Sequence, residues 1–142
     1  MKLGKVIITT TSQATEDMSK VVKALSLLLP PDTSPTIREY EGYHGNPIHL
    51  FTLVLEKRNV SMLLQILREG MPEQTKKSVC EGLAERMDED GVLHLRFDKQ
   101  RALFGELALT EGADSIVVSI KFLTYPKSRD AAIKKAREML CE

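Results

Sequence analysis

Residues 36–57 read TIREYEGYHGNPIHLFTLVLEK. The stretch holds two runs rich in β-branched, aromatic and aliphatic residues, at 36–41 and 48–57, which is typical of β-strands. The residues between them are too few for a helical crossover, so a hairpin of antiparallel strands is predicted. The second run is apolar on both faces, which indicates a central strand.

The rest of the chain extends this hairpin into an α+β pattern. Further strands are predicted at 5–11, 92–97, 106–109 and 115–122, helices at 16–29, 60–69, 72–87 and 129–140, and one helical turn after Asp98. Hairpins outnumber crossovers, so we expect a single two-layer α+β domain over residues 1–142, with a mostly antiparallel mixed sheet and helices packed on one face. The other face is expected to be open to solvent. By strand alternation it carries Arg38, Tyr40, His94, Arg96, Ser119 and Lys121.

Composition indicates a folded, soluble chain without a global charge. Of 142 residues, 42% are hydrophobic and 28% are charged, and the formal net charge is zero. The charges are unevenly distributed, with seven acids against three bases in 69–90 and six bases against one acid in 121–137. The second stretch predicts either a local basic patch or a solvated helix face.

The cysteines and the N-terminus favour a cytoplasmic protein. Cys80 and Cys141 lie far apart without CxxC spacing, so no structural zinc site is expected and both are interpreted as reduced thiols. Residues 1–5 lead directly into a strand without an apolar signal region. No apolar run is long enough for a membrane span, so no membrane partner is expected.

Catalytic motifs are not found in the sequence. The three histidines, His44, His49 and His94, lack the spacing of metal ligands. The chain has no nucleophile elbow, phosphate-binding loop or isolated pair of loop acids. We therefore expect no enzyme activity, no metal and no cofactor, and an acid–base role for His44 is the weakest of the hypotheses.

The hairpin loop offers side chains suited to RNA. Gly45 permits unusual backbone dihedrals and Pro47 holds Asn46 extended, so the loop presents Tyr43, His44 and Asn46. An aromatic ring, an imidazole and an amide can stack on or hydrogen-bond to unpaired bases. The alternative is a tight hairpin connection without a binding role.

A second polar segment follows the strand at 92–97. Lys99, Gln100 and Arg101 place two cations and an amide near a helix N-terminus, which suits phosphate contact, although solvated surface cations are the alternative. The predicted RNA-binding residues are completed by three cations of the basic stretch, namely Lys121, Lys127 and Arg129. The 42–48 loop and the 98–101 segment form one site if the sheet brings the start of the 48–57 strand beside the end of the 92–97 strand.

Four motifs in order along the chain carry a family resemblance: GYHGNPI at 42–48, MDEDG at 87–91, RFDKQ at 96–100 followed by GEL at 105–107, and IKF at 120–122. The chain resembles an archaeal RNA-binding family whose members are described as predicted exosome subunits. This resemblance implies an archaeal origin, a fold similar to ribosomal protein L5, RNA binding without catalysis, and a link to RNA processing or the exosome. A protein–protein adaptor in a larger RNA-processing or ribosomal assembly is the alternative.

Overall fold

A computed structural model describes residues 3–142, which form one antiparallel sheet and six helices. The strands are β1 (Val6–Ser12), β2 (Thr36–Glu41), β3 (Pro47–Leu55), β4 (Val92–Asp98) and β5 (Ser115–Lys121). Their order across the sheet is β2-β3-β1-β5-β4, and every neighbouring pair is antiparallel. The predicted α+β class and the helix-on-one-face arrangement are confirmed, whereas the parallel component of the expected mixed sheet is not found in the described residues.

The helices cover one face of this sheet. They are α1 (Met18–Leu25), α2 (Arg58–Gly70), α3 (Glu73–Glu81), α4 (Leu83–Arg86), α5 (Lys99–Leu103) and α6 (Arg129–Leu140). Alternate strand residues such as Ile8, Phe51 and Val118 are fully buried against apolar residues of the helices. Burial of apolar area contributes about 25 cal/mol per Å², so this single core is the main stabilising term.

Two predicted elements are wrong in the described structure. Residues 106–109 do not form a strand hairpin with 115–122. Instead they turn back along the outer edge of β4, where Asp98 N donates to Ala108 O and Leu109 bridges Phe97. The predicted helix at 72–87 is divided at Gly82, because the φ and ψ of this residue (−104° and 18°) are not helical.

The two cysteines correct another expectation. Cys80 at the end of α3 and Cys141 after α6 form a disulfide with a Cα–Cα distance of 6.0 Å. They were expected to be separate reduced thiols because 61 positions separate them in sequence. The packing of the helices brings them together, which sequence spacing cannot reveal.

Strand β2 lies at one edge of the sheet and extends beyond the helical layer. All six of its residues are exposed, including Ile37 at 45% and Tyr40 at 47%. Its partner β3 is buried only from Phe51 onward. The β2–β3 hairpin therefore projects from the core and carries the 42–46 loop at its tip.

Candidate nucleic-acid interface

The tip of the β2–β3 hairpin is a tight turn with two left-handed residues. Gly42 N donates to Asn46 O at 2.7 Å, and His44 and Gly45 have φ values of +60° and +74°. A Cβ on Gly42 would lie 2.5 Å from Cδ1 of Ile48, so a larger residue here would require the Ile48 side chain to move. His44 and Asn46 are exposed, as predicted for a presenting loop. The Tyr43 backbone is part of the turn, but its side chain lies outside the described part of the structure.

Lys99 lies in a different environment from the one expected. Its ammonium group is almost completely buried and donates to Thr11 O at 2.6 Å, while it forms ion pairs with Glu16 at 2.9 Å and Asp114 at 2.7 Å. These contacts join the end of β1, the start of α1 and the loop before β5. The expected phosphate contact by Lys99 does not fit this position, because the charge is satisfied inside the protein.

The contact with Lys99 changes the pKa of Asp114. Burial raises the pKa of Asp114, but hydrogen bonds from Lys99 and Gln100 and the positive charge of Lys99 outweigh it. The net pKa of Asp114 is therefore lowered from its ordinary value.

The neighbouring predicted residues are exposed but engaged. The Gln100 amide donates to Asp114 at 3.1 Å, and the Arg101 guanidinium contacts both carboxylate oxygens of Glu106 at 3.1 Å. Exposed pairs of this kind contribute little stability and exchange readily for other partners. Gln100 and Arg101 can therefore reach a ligand, whereas Lys99 cannot.

The two predicted segments share one end of the sheet without touching along it. Ser12 pairs with His49, and Ser115 pairs with Asp98. The start of β3 and the end of β4 therefore lie at the same end of the sheet. Strands β1 and β5 lie between them. Three interstrand spacings correspond to roughly 14 Å. One extended ligand can span that distance, but the segments do not form a single pocket.

The predicted basic residues Lys121, Lys127 and Arg129 lie at the opposite end of the sheet. Lys121 Nζ donates to Asp90 O, and Lys127 Nζ lies 3.0 Å from the Asp90 carboxylate. Arg129 donates to the carbonyls of Met87, at 3.2 Å, and Ala84. These cations connect α6 and β5 to the turn before β4, so the basic stretch has a clear structural role.

The face of the sheet away from the helices is open, as predicted. The register places Arg38, Tyr40, His94, Arg96, Ser119 and Lys121 on it, together with Ile7, Thr9, Thr11, Leu50, Thr52, Val54 and Val117. All six expected residues are exposed or half-exposed. The alternation of side chains along the strands therefore predicts the residues of this surface correctly.

The strand positions of this open face carry more cations than acids. Its strand positions include Arg38, Arg96 and Lys121 against one acid, Asp98, whose carboxylate accepts from Arg101 N and caps α5. Arg96 donates to the Ser115 hydroxyl at 3.0 Å and remains exposed. The positive charge is carried by the sheet itself, although the chain as a whole is neutral.

His94 lies at the edge of the open face between two partners. Its Nδ1 is 3.1 Å from Ser119 Oγ and its Nε2 is 2.9 Å from Asp88 Oδ2. The hydrogen bond from His94 lowers the pKa of Asp88, and the backbone N–H of Val92 lowers it further. The pair holds the turn before β4 against the open face.

Arg86 is a residue that the sequence does not single out, since it lies in a helical pattern among acids. Its Nε is buried without a hydrogen-bond partner in the described structure. A Cβ on Gly82 would approach Arg86 Nε at 3.3 Å, so the glycine makes room for the guanidinium. The unpartnered nitrogen of Arg86 is evident only from the packing of α3 and α4, which the sequence does not show.

The described residues carry neither a metal cluster nor a membrane-spanning helix. Within residues 3–142, no three His, Cys, Asp or Glu side chains are grouped closely enough to hold a metal ion. None of the described helices combines the length and apolarity needed to cross a bilayer.

Comparison with known sequences identifies the family. A family model described as RNA binding matches residues 5–122. The chain belongs to this RNA-binding family. The protein of Pyrococcus abyssi named RNA-binding protein PAB1135 is 39% identical over 139 residues, covering 94% of this chain and 90% of the relative.

Solved structures of the RNA-binding family share the fold. Protein AF2318 of Archaeoglobus fulgidus, a DUF54 protein, is 35% identical with a TM-score of 0.86, covering 97% of this chain and 99% of that one. Mth689 of Methanothermobacter thermautotrophicus, also a DUF54 protein, is 34% identical with a TM-score of 0.77 and covers 99% of both chains. The expected exosome link and the likeness to ribosomal protein L5 stay predictions.

Proposed function

We propose that this protein binds RNA on the open face of its sheet and leaves the RNA intact. The observation that carries the proposal is the uncovered face itself, where Arg38, Arg96 and Lys121 stand among threonine hydroxyls and short apolar side chains. Cations and hydroxyls contact phosphates and sugars. The tip residues His44 and Asn46 continue this surface at one end.

The charge arrangement explains how a neutral protein binds a polyanion. The face is uncovered and carries three Arg or Lys side chains, while the Asp98 carboxylate is occupied by a helix cap. Each cation that neutralises a phosphate releases counterions, so affinity falls as salt rises. With only three such cations the affinity is modest, and the slope of log K against log salt is about −2 for a single strand.

The test compares two charge-matched double variants. Arg38→Ala/Arg96→Ala removes two open-face cations, and Lys23→Ala/Lys134→Ala removes two exposed cations from α1 and α6. Fluorescence anisotropy with a labelled 12-nucleotide RNA is measured across a salt series. The open-face variant should lower the slope of log K against log salt by about 1.4, at about 0.7 per lost contact with a single strand.

The control variant should bind RNA with the wild-type slope. Equal losses in the two double variants would overturn the open-face assignment, because non-specific charge would then explain the binding. RNA recovered at full length after long incubation is the expected result for binding without catalysis. Shortened RNA from purified protein would contradict that part of the proposal.

A link to the exosome or to another RNA-processing assembly in the cytoplasm is a second proposal, with the chain acting as an adaptor. Strand β2 favours it, because this edge strand exposes Ile37 and Tyr40 and has no neighbour on its outer side among the described residues. Exposed sheet edges can add a strand from a partner. Exosome subunits recovered with the tagged protein after nuclease treatment would support the adaptor role, and loss of all of them would refute it.

A further inference from the structure

A groove of about 640 Å³ lies along the outer edge of β4 and opens onto the open face. His94, Arg96 and Val117 contribute open-face positions to it, and Glu85, Arg86 and Glu111 contribute to its walls. Small-ligand sites typically measure about 300–1,000 Å³. The groove is therefore large enough for one nucleotide unit and continuous with the proposed RNA surface.

Arg86 gives the groove an unsatisfied donor. Its Nε is buried and without a hydrogen-bond partner, and the guanidinium forms no ion pair within residues 3–142. Burying a donor without a partner is unfavourable. This nitrogen lies beside Gly82, where a Cβ would come within 3.3 Å of it, so contact with a ligand in the groove falls to the terminal nitrogens of the guanidinium. An acceptor on the ligand would give the guanidinium a partner that residues 3–142 do not supply.

The acids of the groove differ in availability. Asp88 is occupied, since it accepts hydrogen bonds from His94 and from the backbone N–H groups of Asp90 and Val92. Glu85 and Glu111 are exposed, and neither forms a hydrogen bond or ion pair within the described chain. The groove therefore offers free carboxylate acceptors beside a guanidinium donor.

This combination does not suit a phosphate, because the carboxylates repel it. It matches the edge of a nucleobase that carries an exocyclic amino group next to a ring acceptor, as cytosine and adenine do. A carboxylate accepts from the amino group, while a guanidinium donates to the ring nitrogen or carbonyl. Uracil has a carbonyl in place of the amino group, and the carboxylates would repel that carbonyl oxygen.

We propose that this groove binds one unpaired, amino-bearing base of the RNA held on the open face, with Glu85 and Glu111 as acceptors and Arg86 as donor. The inference rests on the proposed RNA-binding function and adds a base preference to it. Arg96 belongs to both surfaces, so it positions the backbone of the same strand that delivers the base. Single-stranded RNA is the substrate class, because a base in a duplex cannot leave its stack without cost.

The test uses two labelled oligonucleotides, C12 and U12 RNA, which differ only in the pyrimidine base. Wild-type protein should bind C12 about fivefold more tightly than U12 at fixed salt, at the low end of the discrimination that one base contact provides. In Glu85→Ala/Glu111→Ala that ratio should fall to about one, mainly through weaker C12 binding. Both glutamates are exposed, so the fold should survive the change. Arg86→Ala should lower C12 binding more than U12 binding.

The charge-matched control is Glu73→Ala/Glu138→Ala, which removes two exposed acids of α3 and α6 and should keep the fivefold ratio. Equal wild-type affinity for C12 and U12, or a ratio unchanged in Glu85→Ala/Glu111→Ala, would overturn the groove inference and leave the open face standing. Arg38→Ala should lower the affinity for C12 and the affinity for U12 by the same factor. Failure of wild-type protein to bind either one would overturn both proposals.

Discussion

Lys99→Met is expected to destabilise the protein strongly. The lysine side chain is 4% exposed, and its ammonium group contacts Thr11 O, Glu16 and Asp114 at 2.6–2.9 Å. Methionine keeps the unbranched stem and removes the charge and all three donors. The carbonyl of Thr11 then loses its partner, and two carboxylates remain near an apolar side chain.

The magnitude follows from the environments of the three acceptors. A hydrogen bond involving a charged group contributes about 1.5–3 kcal/mol, and breaking a buried ion pair costs about 3–5 kcal/mol. Glu16 and Asp114 are 24% and 54% exposed, so water compensates part of the loss. We expect the free energy of unfolding to fall by about 3 kcal/mol. That corresponds to roughly 10 °C in Tm for a domain of this size.

Thermal and urea unfolding followed by circular dichroism measure the effect, with Lys134→Met as the matched control. Lys134 is exposed on α6, and its substitution should change the Tm by less than about 2 °C. A Tm for Lys99→Met within that margin would refute the reasoning. The consequence for function is direct: an RNA-binding loss in a Lys99→Ala variant would report unfolding, so Arg101→Ala is the cleaner probe of that segment.

Two further predictions concern covalent and acid stability. Cys80→Ser/Cys141→Ser, or reduction of the wild type, should lower the unfolding free energy by up to about 4 kcal/mol because the disulfide closes a long loop; an unchanged urea midpoint under reductant would contradict this. The pKa of Asp114 is lowered in the folded state, so its contribution is complete above its unfolded pKa of about 4 and is lost as pH falls through the folded value. In urea titrations, the free energy of unfolding should therefore fall less for Asp114→Asn than for the wild type between pH 7 and pH 3. An equal fall in the two proteins would argue against the Lys99 contact.

The sequence predicts the sheet better than the site. The runs 36–41, 92–97 and 115–122 match β2, β4 and β5 to within a residue, because alternation has a short period that few residues can specify. The composition of the open face follows from the same parity. Segment 106–109 fails because Leu107 joins the buried core and Leu109 packs against that core, so they satisfy the hydrophobic pattern with a single backbone bridge and no strand.

Two of the predicted site cations have internal partners that the sequence does not reveal. Lys99 and Arg129 carry the charge expected of phosphate ligands, yet the protein uses one as a buried cross-link and the other to hold the end of α4. Side-chain type does not tell whether a cation meets solvent or an internal acceptor. Arg86 was missed for the opposite reason, since its unsatisfied nitrogen arises from packing against Gly82.

The position of β1 has a consequence for how the chain folds during synthesis. This strand is made first and lies in the centre of the sheet, pairing with β3 on one side and with β5 on the other, where Val6 meets Ile120. Three strands can assemble once residue 55 has left the ribosome, but the second edge of β1 must wait for residues 117–120. At about 5–20 residues per second, that wait is roughly 3–13 s. The nascent protein therefore carries an open β-edge while residues 56–117 are made, and closure of the sheet waits for β5.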